Sequence, residues 1–186
     1  MNILRLLLSL LLLTGFAHAS ELGEQLKTKD HVLLMRHALA PGVGDPPGYS
    51  LERCQTQRLL DDEGQRQAVR IGQWLKLQGV DQAQVHTSIW CRCHKTAELL
   101  SLGPVVVEPS LASFFDEPDK AAETTKKLQA FIAQALQSKG HRALVLVTHH
   151  VNIQAFMGQN IGSGDMVLAR VNAQGQMLGY RVYPSP

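Results

Sequence analysis

Residues 143–148, Ala-Leu-Val-Leu-Val-Thr, constrain the fold of this chain more than any other segment. They offer no polar face, so a strand made from them has to be covered on both sides. That is the position of an inner strand in a mostly parallel sheet with helices packed above and below. Residues 31–35 make a second apolar run, and shorter strands are expected at 83–87 and 105–107. Between the strands the apolar spacing turns helical. Asp61 or Asp62 is placed to cap a helix running to about Gln78, with Ala68, Ile71, Trp74 and Leu75 inward and a stop at Gly79. Residues 90–101 predict a helix ended by Gly103-Pro104, and 119–138 an amphipathic helix carrying Leu128, Phe131, Ile132 and Leu136. A short helix or turn at 21–28, a helix from about Val151, and two last strands near 166–171 and 177–183 around a turn at Gly175 complete the order. Strands alternating with helices predict an α/β fold, a three-layer α/β/α sandwich with a mostly parallel central sheet. Pro41 to Tyr49, with Gly42, Gly44, Pro46, Pro47 and Gly48, is a loop by composition.

The first residues predict where the protein works. Met1 to Leu13 holds one charge, Arg5, then a leucine-rich run; Thr14 and Gly15 break it. Ala17-His18-Ala19 puts small residues at the two positions a signal peptidase reads. A signal peptide over 1–19 is expected, leaving 20–186 as a single domain with a real core. The apolar run is short for a membrane span, so an exported, periplasmic protein is expected, with no membrane insertion after cleavage. The formal net charge of +2 is near neutral and gives no argument for nucleic acid or an anionic membrane surface. All three cysteines, Cys54, Cys91 and Cys93, follow the leader. An exported compartment permits disulfides, and an odd count leaves at least one thiol over. Cys91 and Cys93 diverge on a helix or a strand, which leaves Cys54 paired with either of them.

Three short segments fall just past strand ends, where open α/β sheets bind their ligands. Arg36-His37 follows the first strand, Ser88 to Thr96 with Arg92 follows the second, and Thr148-His149 closes the central one. An arginine beside an imidazole suits phosphoryl transfer to a histidine. The guanidinium fork fits phosphoryl oxygens and keeps its charge, while the neutral ring supplies a lone pair. Any one segment alone reads as a solvated turn, a surface helix or, for Ser88, a helix cap or a neighbour of a phosphate-binding loop. A rival chemistry is open to Cys91-Arg92-Cys93-His94 with His149-His150, which are metal-ligand types. The spacing does not enforce it, because Cys91 and Cys93 diverge on a helix.

In their common order these segments match one family. Leu34-Met35-Arg36-His37-Ala38 resembles the Arg-His-Gly signature of the histidine phosphatase superfamily, whose fold is phosphoglycerate-mutase-like. Leu59 to Ala68, with Gly64 and Gln67-Ala68, resembles the helix start that follows in that family. Ser88 to Ala97 resembles its Ser-Arg-Thr-Ala segment, and Leu146 to His149 its second-histidine strand. The likeness is to small exported members, not to the larger cytosolic mutases. It implies a hydrolase needing neither metal nor cofactor, with His37 as nucleophile. Arg36, Arg92 and a protonated His149 are then donors to the phosphoryl oxygens.

The proton donor departs from the family pattern. Many members carry a glutamate where this chain has Ser113, two residues past Leu111, and serine is no acid at neutral pH. Asp116 follows Phe114-Phe115, whose apolar side chains would raise a carboxyl pKa. Asp116 is therefore taken as the acid, with Glu117 second. Ala38 and His150 stand where glycine is usual. In the acid phosphatase branch an aspartate follows the second histidine and acts as the acid, a role His150 would imitate, ranked below Asp116. Arg53 and Arg58, in the loop after His37, either border the site or face solvent. The implied substrate is a small-molecule phosphate ester, phosphorylated envelope sugars among them. The alternative is phosphohistidine on a phosphoprotein, because a P–N bond needs less help from an acid. The missing glutamate motivates a third reading, a binding domain of the same fold without turnover.

Overall fold

The computed structural model describes residues 20–186, so the leader expected over 1–19 lies outside the described residues. Six strands form one sheet: β1 (His31–Arg36), β2 (Ala83–Thr87), β3 (Val105–Val107), β4 (Ala143–Thr148), β5 (Met166–Val171) and β6 (Met177–Tyr183). Their order is β3-β2-β4-β1-β5-β6. The first four are parallel, β5 is antiparallel to β1, and β6 is antiparallel to β5. The helices are α1 (Glu21–Lys27), α2 (Asp62–Leu77), α3 (Cys91–Leu100), α4 (Ala121–Ser138) and α5 (His150–Met157).

Every residue of β4 is buried, as its sequence requires. Val145 and Val147 point into a core shared with α1, α2 and α3, where Leu26, Ile71, Leu75 and Leu100 pack. Leu144 and Leu146 point into the opposite core, with Leu128, Ile132, Ile153 and Phe156 from α4 and α5. β1 divides the same way, Leu33 and Met35 to one side, Val32 and Leu34 to the other. This period-2 alternation between two apolar layers is the expected α/β/α sandwich.

The helix starts show local chemistry. Asp61 is the cap of α2, its carboxylate accepting from the Gly64 N–H at 2.7 Å. The helix expected from 119 begins at Ala121, because Pro118, which has no N–H, opens a 3₁₀ turn over Pro118–Lys120. Trp90 is the N-cap residue of α3 and gives it no side-chain cap. Instead the Cys91 N–H donates to Gln57 Oε1 at 3.0 Å, which satisfies one of the orphan donors of the first turn. Next to that contact, a disulfide joins Cys54 to Cys91, while Cys93 is a buried free thiol. No helix among the described residues is long and apolar enough to cross a membrane.

Parallel register brings three strand ends level. Arg36 lies opposite Thr148, and Thr87 opposite Val147. The ladder continues one step beyond each strand: the His37 N–H donates to Thr148 O at 2.9 Å, and the Ser88 N–H to Val147 O at 3.0 Å. His37, Ser88 and His149 are thereby gathered at one edge of the sheet.

Candidate active site

The turn after β1 carries His37, which is 1% exposed. Its Nδ1 lies 2.7 Å from the Ala38 carbonyl. A carbonyl only accepts, so Nδ1 holds the proton and Nε2 keeps a free lone pair. Burial, then the charges of Arg92 and Arg36, hold the ring pKa well below its ordinary value near 6.5, and His37 is neutral at physiological pH.

The turn is pinned from three sides. The Ala38 N–H donates to Thr96 Oγ1 at 3.0 Å, the Leu39 N–H to Gln67 Oε1 at 2.8 Å, and the Gly164 N–H to His37 O at 3.1 Å. Thr96 in turn donates to the Arg92 carbonyl at 2.7 Å. At Gly64 an added Cβ would lie 1.9 Å from Leu39 O, so only glycine lets α2 approach the turn this closely. Gly64, Gln67 and Thr96, recognised in sequence as family marks, thus act on the backbone that aims His37.

His149 caps α5 and is buried. Its Nδ1 is 3.4 Å from Arg92 Nη2, and its Nε2 is 2.8 Å from Ser88 Oγ. A guanidinium only donates, so Nδ1 is the acceptor and Nε2–H donates to Ser88. Burial, then His37 and Arg92, depress its pKa well below the ordinary value. His149 is therefore neutral in the ligand-free site; the imidazolium expected from the sequence is that of the complex with a phosphoryl group. Ser88 is a partner of the second histidine, not the cap of α3. The two histidine rings stand edge to face with centroids 5.6 Å apart, and the Trp90 ring lies 5.1 Å from His149. Cys93 Sγ is 3.4 Å from His149 Nε2, and burial pushes this thiol up to about 12, so it is an unreactive part of the wall.

Arg92 is buried, with both Asp45 oxygens on its Nη1 at 2.9 and 3.0 Å. Arg36 donates from Nη1 to Ile161 O at 3.1 Å. The Nε atoms of both arginines are buried without a hydrogen-bond partner. Two guanidinium groups with unspent, desolvated donors beside a neutral histidine suit an anion with several acceptor oxygens.

His37, Arg92, His149, His150, Arg58 and Asp116 line one small cavity. Arg36 lines an adjoining groove that shares Arg58, Phe115 and His150 with it. Asp116 is not enclosed by phenylalanines. It is exposed, accepts from the Tyr49 hydroxyl at 3.0 Å, and has Phe115, 42% exposed, as its neighbour. Glu117 is exposed, pairs with Lys120, and lies outside the cavity. Arg53 is also outside, exposed before the turn at Cys54. Arg58 is inside, but its guanidinium donates to the Gly44 and Ala40 carbonyls and so braces the loop. Burial, then Arg36, lowers the His150 pKa, so His150 is a neutral ring at the mouth of the site.

Sequence reasoning passed over Asp45 and Trp90. The only signal for Asp45 was an acidic residue in a glycine- and proline-rich loop. Among the described residues no group of three or more His, Cys, Asp or Glu side chains is arranged to hold a metal, and Cys91 is committed to the disulfide.

The model for branch 1 of the histidine phosphatase superfamily matches residues 32–117. Among solved structures, a mycobacterial glucosyl-3-phosphoglycerate phosphatase with inorganic phosphate is similar at a TM-score of 0.62 and 14% identity. It covers 84% of this chain and 97% of that one. The protein histidine phosphatase SixA complexed with tungstate is similar at 0.56 and 18% identity, over 82% and 94%. A phosphoserine phosphatase from Entamoeba histolytica with 3-phosphoglyceric acid is similar at 0.58 and 12% identity, over 81% and 95%. At these identities the likeness is one of fold. No curated protein sequence matches the chain.

Proposed function

We propose that this chain, which belongs to the histidine phosphatase superfamily, is an exported phosphomonoesterase working through a phosphohistidine at His37, without a metal. One observation carries the reading. A buried, neutral His37 presents a free Nε2 beside two arginines whose buried Nε–H groups lack acceptors.

The Nε2 lone pair attacks phosphorus and the P–O bond to the leaving group breaks. The leaving oxygen takes a proton from Asp116 or, for a good leaving group, from water. Arg36 and Arg92 offset the charge on the phosphoryl oxygens throughout. A bound dianion also reverses the balance at His149: it favours protonation of Nδ1, which then donates to the phosphoryl group. Water next attacks phosphorus, the P–N bond breaks, its electron pair returns to Nε2, and Asp116 recovers a proton. The Cys54–Cys91 disulfide supports an exported location, and phosphorylated envelope sugars suit that compartment.

A second substrate class, phosphohistidine on a protein, is favoured by the acid's placement. Ser113 holds the usual glutamate position, and Asp116 is exposed and bound to Tyr49. The test compares the parent, His37→Ala and Asp116→Asn on an aryl phosphate, an alkyl phosphate and phosphohistidine. His37→Ala should lose all three activities. Asp116→Asn should spare phosphohistidine, and its loss of all three would overturn the second reading. A folded parent inactive on every substrate would instead indicate a binding domain.

A further inference from the structure

The loop between β1 and α2 sends a carboxylate into the site. Asp45 and Arg92 are paired with side chains only 4% exposed each. Oδ1 accepts from the Arg58 N–H at 2.9 Å and from Arg92 Nη1 at 2.9 Å; Oδ2 accepts from Arg92 Nη1 at 3.0 Å and from the Trp90 indole at 3.1 Å. Each oxygen therefore has two donors. The loop behind is fixed as well, by Arg58 on the Ala40 and Gly44 carbonyls, by Gln57 on the start of α3, and by the Cys54–Cys91 disulfide.

An anion this close to a phosphoryl-binding arginine has two possible roles: it either takes the phosphoryl group's place or holds the arginine for it. The geometry distinguishes them. A guanidinium binds a phosphoryl group best through a two-donor edge. In Arg92 both Asp45 oxygens sit on the Nη1 corner. The opposite edge keeps Nε buried without a partner, and Nη2 makes one long contact with His149 at 3.4 Å. A carboxylate mimicking the substrate would occupy that edge, facing His149. Resting on the phosphatase reading of this site, we infer that Asp45 is a positioning residue. It grips Arg92 by Nη1, fixes the plane of the guanidinium, and leaves the Nε/Nη2 edge free for the phosphoryl oxygens.

The experiment measures inorganic phosphate binding by calorimetry and aryl phosphate turnover for the parent, Asp45→Asn, Trp90→Phe, Arg92→Lys and Asp45→Asn/Arg92→Lys. Asp45→Asn keeps the shape and loses the charge. It should weaken phosphate binding and kcat/KM by about 10-fold or more, because a misplaced donor costs heavily in an oriented site. Trp90→Phe removes one of the carboxylate's donors and should weaken both in the same direction by less. In the Arg92→Lys background Asp45→Asn should add little, about 2-fold at most, because both changes act through one guanidinium. A purely structural role would lower the melting temperature and leave the phosphate affinity of the folded protein unchanged. Unchanged or tighter phosphate binding in Asp45→Asn would overturn the inference, and if that variant does not fold, the same result in Trp90→Phe would do so. A folded parent that binds no phosphate would overturn the phosphatase reading itself.

Discussion

Because the Ala38 carbonyl can only accept, the tautomer of His37 is set by its own backbone turn. Its protonation is set by burial and by two arginines. His149 is likewise held neutral, by burial and by its neighbours. The linkage to stability has a definite sign. Unfolded histidine titrates near 6.5, above the depressed folded values, so between them the unfolded chain binds more protons. Stability is full above about pH 6.5 and falls as the pH drops through that value. Urea unfolding of the parent against His149→Asn between pH 7 and 5.5 measures this loss, as a shallower pH slope in the variant. The exposed Asp116 leads to a different expectation. Asp116→Asn should reduce hydrolysis of an alkyl phosphate by roughly 10²-fold or more and that of an aryl phosphate far less, since only the poor leaving group needs the proton. At this scale the sequence was legible where residues sit beside strand ends, as His37, Arg92 and His149 do. It was illegible for Asp45, whose partner Arg92 is 47 residues away. A loop of glycine and proline has no periodicity to show which side chain turns inward.

Two helices that pack in the core also brace the turn after β1. α2 supplies Gly64 and Gln67, and α3 supplies Thr96, all against residues 38 and 39. Gly64→Ala would press a methyl group into the Leu39 carbonyl. It should cost about 1–3 kcal/mol in urea unfolding and lower kcat well beyond the share explained by unfolded protein. Gln67→Ala, which removes the acceptor of the Leu39 N–H without crowding, should lower kcat with a smaller loss of stability. Strands and helices were readable because each has a period that burial enforces, as in the unbroken run of β4. The start of α4 moved by two residues because Pro118 imposes a 3₁₀ turn before the helix, an effect of backbone chemistry that apolar spacing does not carry.

Across the whole molecule, parallel register carries three strand ends to one level, and the disulfide fastens the loop that faces them. Cys54 and Cys91 are 37 residues apart. Closing a loop of that size stabilises a fold by roughly 2–4 kcal/mol. Reduction should lower the melting temperature, and it should lower kcat/KM even below the transition, because the released loop carries Asp45 and Arg58 into the site. Cys54→Ser compared with the parent, both without added reductant, checks both effects. The central claim remains covalent: phosphate passes through His37. The direct measurement is to mix the protein with an aryl phosphate, quench within milliseconds to seconds, hold the sample alkaline and determine the intact mass. A phosphoryl adduct on the parent that is absent from His37→Ala is the predicted result. A folded parent that turns over the ester without any trapped adduct, or a His37→Ala variant that still acquires one, would contradict it.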